Sequence, residues 1–159
     1  MRLQRGFTLI EMALVLGIVG VLISLATPMM RDLIVNNRLK TVSTDLHSSL
    51  TYARSEAIKR NGTISLVPVD TSAWAQGWSV RSGTTVLQLQ DAYASVTVSG
   101  PAASVSFAGS GRLTGTSTLS FIISSSSSPR LQARCVVVAP SGRPSVQLDK
   151  DGDASNGCQ

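Results

Sequence analysis

The chain has 159 residues, of which 43% are hydrophobic and only 4% aromatic, and its formal net charge is +5. This length leaves room for one small globular domain after any anchoring segment. A single histidine and two cysteines exclude catalytic or metal-binding clusters that need several such residues.

The N-terminal part combines a short basic leader with a long apolar run. Residues 1–6 carry Arg2 and Arg5, whereas Glu11 is the only charged residue in 7–30. The run is long enough for a helix that crosses a bilayer, which needs about 20 apolar residues. A secretory signal peptide would have a shorter apolar core followed by a small-residue cleavage site. The length of the apolar run thus predicts a membrane helix at 7–30. The positive-inside rule predicts that the basic leader at 1–6 is cytoplasmic.

Glu11 is an unusual residue for a membrane segment. An ionised carboxylate there costs about 2.5–3.5 kcal/mol on insertion scales, so such residues are usually paired and functional. The apolar run contains no Lys or Arg that could pair with it. The alternative interpretation is a plain signal anchor that tolerates one acid.

The hexapeptide Gly6-Phe7-Thr8-Leu9-Ile10-Glu11 resembles the class III signal of type IV pilins and of the pseudopilins of type II secretion. In that family a prepilin peptidase cuts after the glycine, and the new terminal residue is N-methylated. The resemblance implies cleavage between Gly6 and Phe7 and methylation of Phe7. It also implies that Glu11 neutralises the terminal amine of Phe7 on the next subunit of a filament.

Residues 31–61 have the pattern of an amphipathic helix. Apolar side chains recur at spacings of three and four, at Leu39, Val42, Leu46, Leu50, Ala53 and Ala57. Pro28 is predicted to kink the helix rather than to end it. Asn61 and Gly62 tolerate the left-handed conformation, so the helix is predicted to end near Arg60.

Residues 62–159 consist of short β-branched or alternating runs separated by turn residues. Eight strands are predicted, at residues 63–69, 78–81, 84–90, 94–99, 104–107, 118–124, 131–139 and 145–148. The predicted fold class is α+β, with a long N-terminal helix packed on an antiparallel β-domain. The resemblance to type IV pilins implies the same architecture.

A second stretch of sequence indicates one branch of the type IV pilin family. Residues 52–61, together with Trp74 and Gly77-Trp78, are similar to the GspH/FimT branch of the family, which contains minor pilins and minor pseudopilins. The residues themselves indicate structural roles. Trp74 and Trp78 are expected to anchor the core or its rim, and Arg54 and Glu56 to lie on a solvated or locally paired face.

Cys135 and Cys158 are predicted to form a disulfide that closes a C-terminal loop. An even number of cysteines in a domain outside the inner membrane favours pairing. A metal site or a catalytic thiol lacks partners, because the single histidine, His47, lies far away on the helix.

Asp149, Asp151 and Asp153 stand at alternate positions, as at the start of a calcium-binding loop. An EF-hand would need glycine where Ala154 stands. A solvated acidic turn is the simpler interpretation, and no metal ion or other cofactor is predicted. The sequence also lacks nucleophile-elbow, P-loop and dinucleotide-binding patterns, so it does not predict an enzyme.

Residues 92–148 contain no Asp or Glu but four arginines, Arg112, Arg130, Arg134 and Arg143. Such a segment can form a surface that attracts phosphate, which suits the planar guanidinium group. Some FimT-like pilins bind DNA during natural transformation through a C-terminal Gly-Arg-x-Arg motif. Here Gly142-Arg143-Pro144-Ser145 keeps only the first arginine. The alternative is that the arginines are scattered and serve solubility.

Two classes of function follow from these observations. The first is a structural assembly protein, either a minor pilin that initiates or caps a type IV pilus or a minor pseudopilin of type II secretion. The second is a pilus-tip receptor for double-stranded DNA. The predicted location is the inner membrane, crossed once, with a periplasmic C-terminal domain that reaches the pilus tip on assembly. The predicted partners are other pilin subunits, prepilin peptidase, the inner membrane and DNA.

Overall fold

The structure is a computed structural model that describes residues 7–70, 73–125, 127–128, 130–150 and 158. For residues 25–29 only the backbone is described. The predicted leader at 1–6, including Gly6, lies outside the described residues, as do Asp151 and Asp153.

One helix, α1, spans Leu9–Arg60 and continues through Pro28. It ends where the sequence predicts. Asn61 is left-handed, with φ 48°, its N–H donates to the carbonyl of Ile58, and the N–H of Gly62 donates to the carbonyl of Ala57. These two bonds form a Schellman motif, which satisfies carbonyl groups that the helix end would otherwise leave without partners.

The chain divides into two compact units, Met1–Ile34 and Val35–Gln159. In the first unit the described apolar side chains of α1 are exposed, as at Leu14 and Leu22. Within the part of the chain that the structure describes, no helix is both long and apolar enough to cross a membrane. The membrane span at 7–30 stays a prediction from the sequence.

Among the described residues the hydrophobic core lies in the second unit, from Val35 to Val138. The six apolar positions predicted for one face of the helix are all fully buried, at Leu39, Val42, Leu46, Leu50, Ala53 and Ala57. Because the core lies wholly within this unit, a fragment that begins at Met30 is expected to fold by itself.

In the described part of the chain eight strands follow the helix, and all pair antiparallel. They are β1 Ile64–Pro68, β2 Trp78–Ser82, β3 Thr85–Gln90, β4 Thr97–Ser99, β5 Val105–Phe107, β6 Leu119–Ser124, β7 Arg134–Val138 and β8 Pro144–Leu148. One sheet has the order β3-β2-β1-β5 and the other the order β4-β6-β7-β8. The predicted helix-on-antiparallel-sheet fold is confirmed.

Two strands begin three residues later than the sequence predicts. The fourth begins at Thr97 rather than at residue 94, because Ser95 adopts φ 62° in a turn. The seventh begins at Arg134 rather than at residue 131, because the N–H of Leu131 closes a turn on the carbonyl of Ser128.

Both tryptophans are buried, and each packs against another aromatic side chain. Trp74 lies in a short 3-10 helix, Trp74–Gln76, and packs edge-on against Phe121 with ring centroids 4.8 Å apart. Trp78 stacks on Tyr93 and donates its indole N–H to Ser49 Oγ at 2.9 Å. The expected role as anchors is confirmed by exposures of 0% and 1%.

Asp149 differs from the solvated turn that the sequence predicts. Its side chain is fully buried, and its N–H donates to the carbonyl of Ala133 at 3.0 Å. This bond extends the β7–β8 pairing by one step beyond Arg134 and Leu148. The carboxylate is therefore drawn into the domain instead of facing water. Among the residues that the structure describes, no group of three potential metal ligands occurs.

Candidate functional site

The first turn of α1 contains a complete capping box between Thr8 and Glu11. Glu11 Oε2 accepts hydrogen bonds from the backbone N–H and the hydroxyl of Thr8, both at 2.9 Å, and the N–H of Glu11 donates to Thr8 Oγ1 at 3.3 Å. A Thr followed three residues later by Glu is the signature of this motif, which satisfies N–H groups at a helix start. Glu11 therefore has a structural role within its own subunit, which sequence reasoning missed.

The surface around this capping box is apolar and open. Phe7 is 83% exposed and Leu9 is 88% exposed. Large apolar side chains continue along α1 and are exposed at Ile10, Met12, Leu14, Val15, Leu16, Ile18, Val19, Val21, Leu22 and Ile23. Exposed apolar area of this extent marks an interaction or membrane surface.

The predicted disulfide between Cys135 and Cys158 is present. The two Cα atoms are 5.8 Å apart, and 23 positions separate the cysteines in the sequence. Cys135 is fully buried in β7. The bond therefore fastens the end of the described chain to the centre of the second sheet.

Three turns meet near the end of α1, at residues 60–62, 108–112 and 139–143, and we call this meeting point the turn junction. The N–H of Leu113 donates to the carbonyl of Pro140 at 3.2 Å and links two of the turns. A Cβ added to Gly109 would lie 2.7 Å from the carbonyl carbon of Asn61, and one added to Gly142 would overlap the carbonyl oxygen of Gly111. The turns approach so closely that glycine is needed at these contacts.

The turn junction brings two of the four predicted arginines together. A Cβ on Gly142 would lie 3.3 Å from the Cα of Arg112, so Arg112 and Arg143 stand on adjacent turns. Both residues are exposed. Gly142, the glycine of the Gly-Arg pair, has φ 79°, and its position explains why the pair begins with glycine.

The other two predicted arginines lie elsewhere. Arg134 pairs with Leu148, whereas Val138 pairs with Pro144 at the end of the hairpin that carries Arg143. Arg134 and Val138 are four positions apart in β7, and at about 3.3 Å per residue this separates the two ends of the hairpin by roughly 13 Å. Arg134 is half-buried, with Nε shielded from solvent, and Arg130 is exposed in the preceding loop. The four arginines therefore do not form one patch.

Arg54 is a basic residue of the turn junction, and from the sequence it is expected on a solvated or locally paired face. Its Nε donates to the carbonyl of Gly111 at 3.1 Å. A Cβ on Gly111 would lie 2.6 Å from Ile58 Cδ1, so the turn at 108–112 rests directly on the last turns of the helix. Arg54 thereby joins Arg112 and Arg143 at one end of the domain.

Glu56 is locally paired, as the sequence indicates. Its carboxylate accepts a 2.6 Å bond from Arg60 Nε and a 3.4 Å bond from Lys59 Nζ. The hydrogen bond from Arg60 lowers the pKa of Glu56 below its usual value, although burial opposes the change. Burial and the hydrogen bond to Asp45 raise the pKa of Tyr93. Tyr93 thus ties the loop after β3 to the helix, whereas the bonds of Glu56 stay within the last turns of α1.

Comparisons with known proteins agree with this architecture. Residues 43–157 match the family model described as type II transport protein GspH, and residues 1–27 match the prokaryotic N-terminal methylation motif. The chain is 45% identical over 65 residues to the pilin-like protein PilA1 of Thermus thermophilus. That match spans 40% of this chain and 39% of PilA1.

Solved structures share the fold. The type IV minor pilin FimU of Pseudomonas aeruginosa is 25% identical with a TM-score of 0.63, and the match covers 78% of this chain and 97% of FimU. The minor pseudopilin EpsH from the type 2 secretion system of Vibrio cholerae is 11% identical with a TM-score of 0.52, covering 73% and 99% of the two chains. Because the GspH model matches most of the chain, the protein belongs to the GspH family and is a type IV pilin-like subunit, a minor pilin or minor pseudopilin, and not an enzyme.

Proposed function

We propose that the protein is a minor pilin of a type IV pilus, acting as an initiation or tip subunit. The observation that carries the proposal is the exposed apolar surface that runs from Phe7 along α1 to Ile23 and surrounds the capping box of Glu11. Before assembly this surface lies in the inner membrane, with the β-domain in the periplasm. After assembly it packs against the helices of neighbouring subunits.

Processing by prepilin peptidase precedes assembly in this proposal. Cleavage between Gly6 and Phe7 releases the amine of Phe7, which is then methylated. Glu11 neutralises that amine on the next subunit, because a carboxylate in apolar surroundings needs a partner.

Replacing Glu11 tests whether its charge or its capping role matters. Glu11→Gln keeps the capping box, since Gln also suits that position, but removes the charge. Glu11→Val removes both. We expect both variants to insert in the membrane and to be lost from purified pili, more than tenfold below the parent by immunoblot.

Normal incorporation of Glu11→Gln would contradict the pairing of Glu11 with the amine and leave only a capping role. The parent provides a second check, because its intact mass after extraction should correspond to loss of six residues plus one methyl group. A Gly6→Val variant should keep the leader and be absent from pili. Incorporation of this uncleaved variant would argue against the processing step.

The alternative proposal is a minor pseudopilin of a type II secretion system. The family model and the fold shared with EpsH favour it. The higher identity to FimU, 25% against 11% for EpsH, supports the pilus. Deleting the gene distinguishes them, because loss of pili with normal protein secretion supports the pilus, and the opposite phenotype supports the pseudopilus.

We further propose that the β-domain binds double-stranded DNA without sequence preference and so contributes to natural transformation. Arg143 and Arg112, on adjacent turns of the turn junction, are the main contacts, and Arg130 and Arg134 are secondary. Non-specific binding dominated by phosphate contacts has dissociation constants of roughly 10⁻⁴ to 10⁻⁶ M at physiological salt.

Arginine substitutions test this binding in the fragment that begins at Met30. We expect Arg143→Ala and Arg112→Ala each to reduce the slope of log K against log salt by about 0.9, measured by fluorescence anisotropy. Arg130→Ala is the comparison, because Arg130 is also exposed but lies away from the turn junction, and as a secondary contact it should reduce the slope by less. Equal losses for all three variants would show that the turn junction is not the site, and a parent without salt-dependent binding would end the DNA proposal.

A further inference from the structure

The part of α1 from Val35 to Arg60 has two flanks with different neighbours. One flank faces β2, β3 and the loop after them. There Asp45 Oδ2 accepts a 2.7 Å bond from the hydroxyl of Tyr93, and Ser49 Oγ accepts bonds from Trp78 and Gln88. The two acidic residues of this part of the helix, Asp45 and Glu56, are 11 positions apart and share this flank, since 11 residues make just over three full turns.

The opposite flank faces the turn at 108–112. Arg54 and Ile58 contact that turn through Gly111. Lys40, His47 and Arg54 are spaced seven residues apart, which is close to two full helical turns, so they share this second flank. We call the row of Lys40, His47 and Arg54 the basic flank.

The basic flank is separated from the acidic residues of the helix. Asp45 and Arg54 are nine positions apart, which places them on opposite sides of the helix, at roughly 180°. Lys40 is exposed and His47 half-buried. Because the acids lie on the far side, they do not neutralise charge on the basic flank.

The basic flank leads into the turn junction. Arg54 is bonded to the turn that contains Arg112, and Arg143 stands on the adjacent turn. Residues 92–148 supply no acid, and Asp149, the next acid in the sequence, is fully buried. Neither the basic flank nor residues 92–148 therefore contributes an acid to the surface that Lys40, His47 and Arg54 share with the two arginines.

We propose that this surface is a track for the phosphate backbone of double-stranded DNA, extending from Arg143 and Arg112 along α1 to Lys40. The inference rests on the proposed DNA binding and names a second set of contacts for it. From Lys40 to Arg54 the helix extends roughly 21 Å, at 1.5 Å per residue. This length corresponds to about six nucleotides of one strand, at 3.4 Å each. DNA on the track runs beside the helix and contacts at least four cations.

The track changes the expected salt dependence. Arg112 and Arg143 alone give a slope near −2 in log K against log salt, because each phosphate contact contributes about −0.9. With Lys40 and Arg54 added, the slope is expected to be about −3.6. A titration of the fragment that begins at Met30 separates the two values. It uses a duplex of about 20 base pairs at salt concentrations of roughly 20 to 200 mM.

Lys40→Gln tests the track directly, with Lys59→Gln as the matched control. Both changes remove one exposed positive charge from α1, but Lys59 pairs with Glu56, whose carboxylate lies on the flank away from Arg54. We expect Lys40→Gln to weaken binding about tenfold at 50 mM salt, roughly the contribution of one contact, and to reduce the slope by about 0.9. Lys59→Gln should leave the affinity within about twofold of the parent and the slope unchanged. All three proteins should show the same thermal unfolding.

The outcomes separate this inference from the proposed function. If Arg143→Ala weakens binding and Lys40→Gln behaves like Lys59→Gln, the track is wrong and DNA binding at the turn junction stands. If the parent shows no salt-dependent binding to DNA, both proposals fail. If Lys40 instead controls binding to vesicles of anionic phospholipid while DNA does not bind, the surface is a membrane contact and the track is overturned.

Discussion

Gly142→Ala is expected to lower the free energy of unfolding of the β-domain by about 3 kcal/mol. Gly142 has φ 79°, and a side chain in this left-handed region costs about 1–2 kcal/mol. The remainder comes from separating two turns, because the new Cβ would overlap the carbonyl oxygen of Gly111. Urea unfolding of the fragment that begins at Met30 measures the loss.

Gly83→Ala is the control for the backbone cost alone. Gly83 has φ 58°, but no atom lies within 4 Å of an added Cβ. We expect this variant to lose only about 1 kcal/mol. Equal losses at Gly83 and Gly142 would mean that the close approach of the turns contributes nothing to stability.

Breaking the disulfide is expected to lower the free energy of unfolding by a similar amount, about 3 kcal/mol. The cysteines are 23 positions apart, and a crosslink over such a loop restricts the unfolded chain. Cys158→Ala removes the crosslink while leaving Cys135 in the core. For a domain of this size the midpoint of thermal unfolding should fall by roughly 10 °C.

A reductant provides the control for this variant. It should destabilise the parent by the same amount and leave Cys158→Ala unchanged. Cys135→Ala should lose somewhat more than Cys158→Ala, because Cys135 is fully buried and its sulfur fills space in the sheet. If the reductant does not change unfolding of the parent, the crosslink has no role in stability.

The sequence predicts the elements of the fold well, because local chemistry determines them. The apolar face of α1 has a helical period, and Asn61 takes the left-handed conformation that ends it. Each β-branched run became a strand. The short 3-10 helix Trp74–Gln76 was missed because three residues have no detectable period.

The candidate site was less predictable, because its parts meet only in the folded chain. The sequence shows Arg112, Arg130, Arg134 and Arg143 in one acid-free segment, but the pairing of β7 with β8 places Arg134 at the far end of the hairpin. Arg54 is 58 positions before Arg112 in the sequence, and only the packing of a turn on the helix brings it close. The regular spacing of Lys40, His47 and Arg54 is present in the sequence, but only the contact of Arg54 with Gly111 shows which side of the domain this row faces.

The turn junction also limits how the chain can be altered. Since the turns at 108–112 and 139–143 are fitted to each other and to the helix end, an inserted residue in either would shift both. Residues 114–118 are exposed, and the space around Gly115 is open within 4 Å. An epitope or fluorophore-binding tag placed there leaves the packed turns at their native lengths, which makes this loop the place to label the subunit for imaging on living cells.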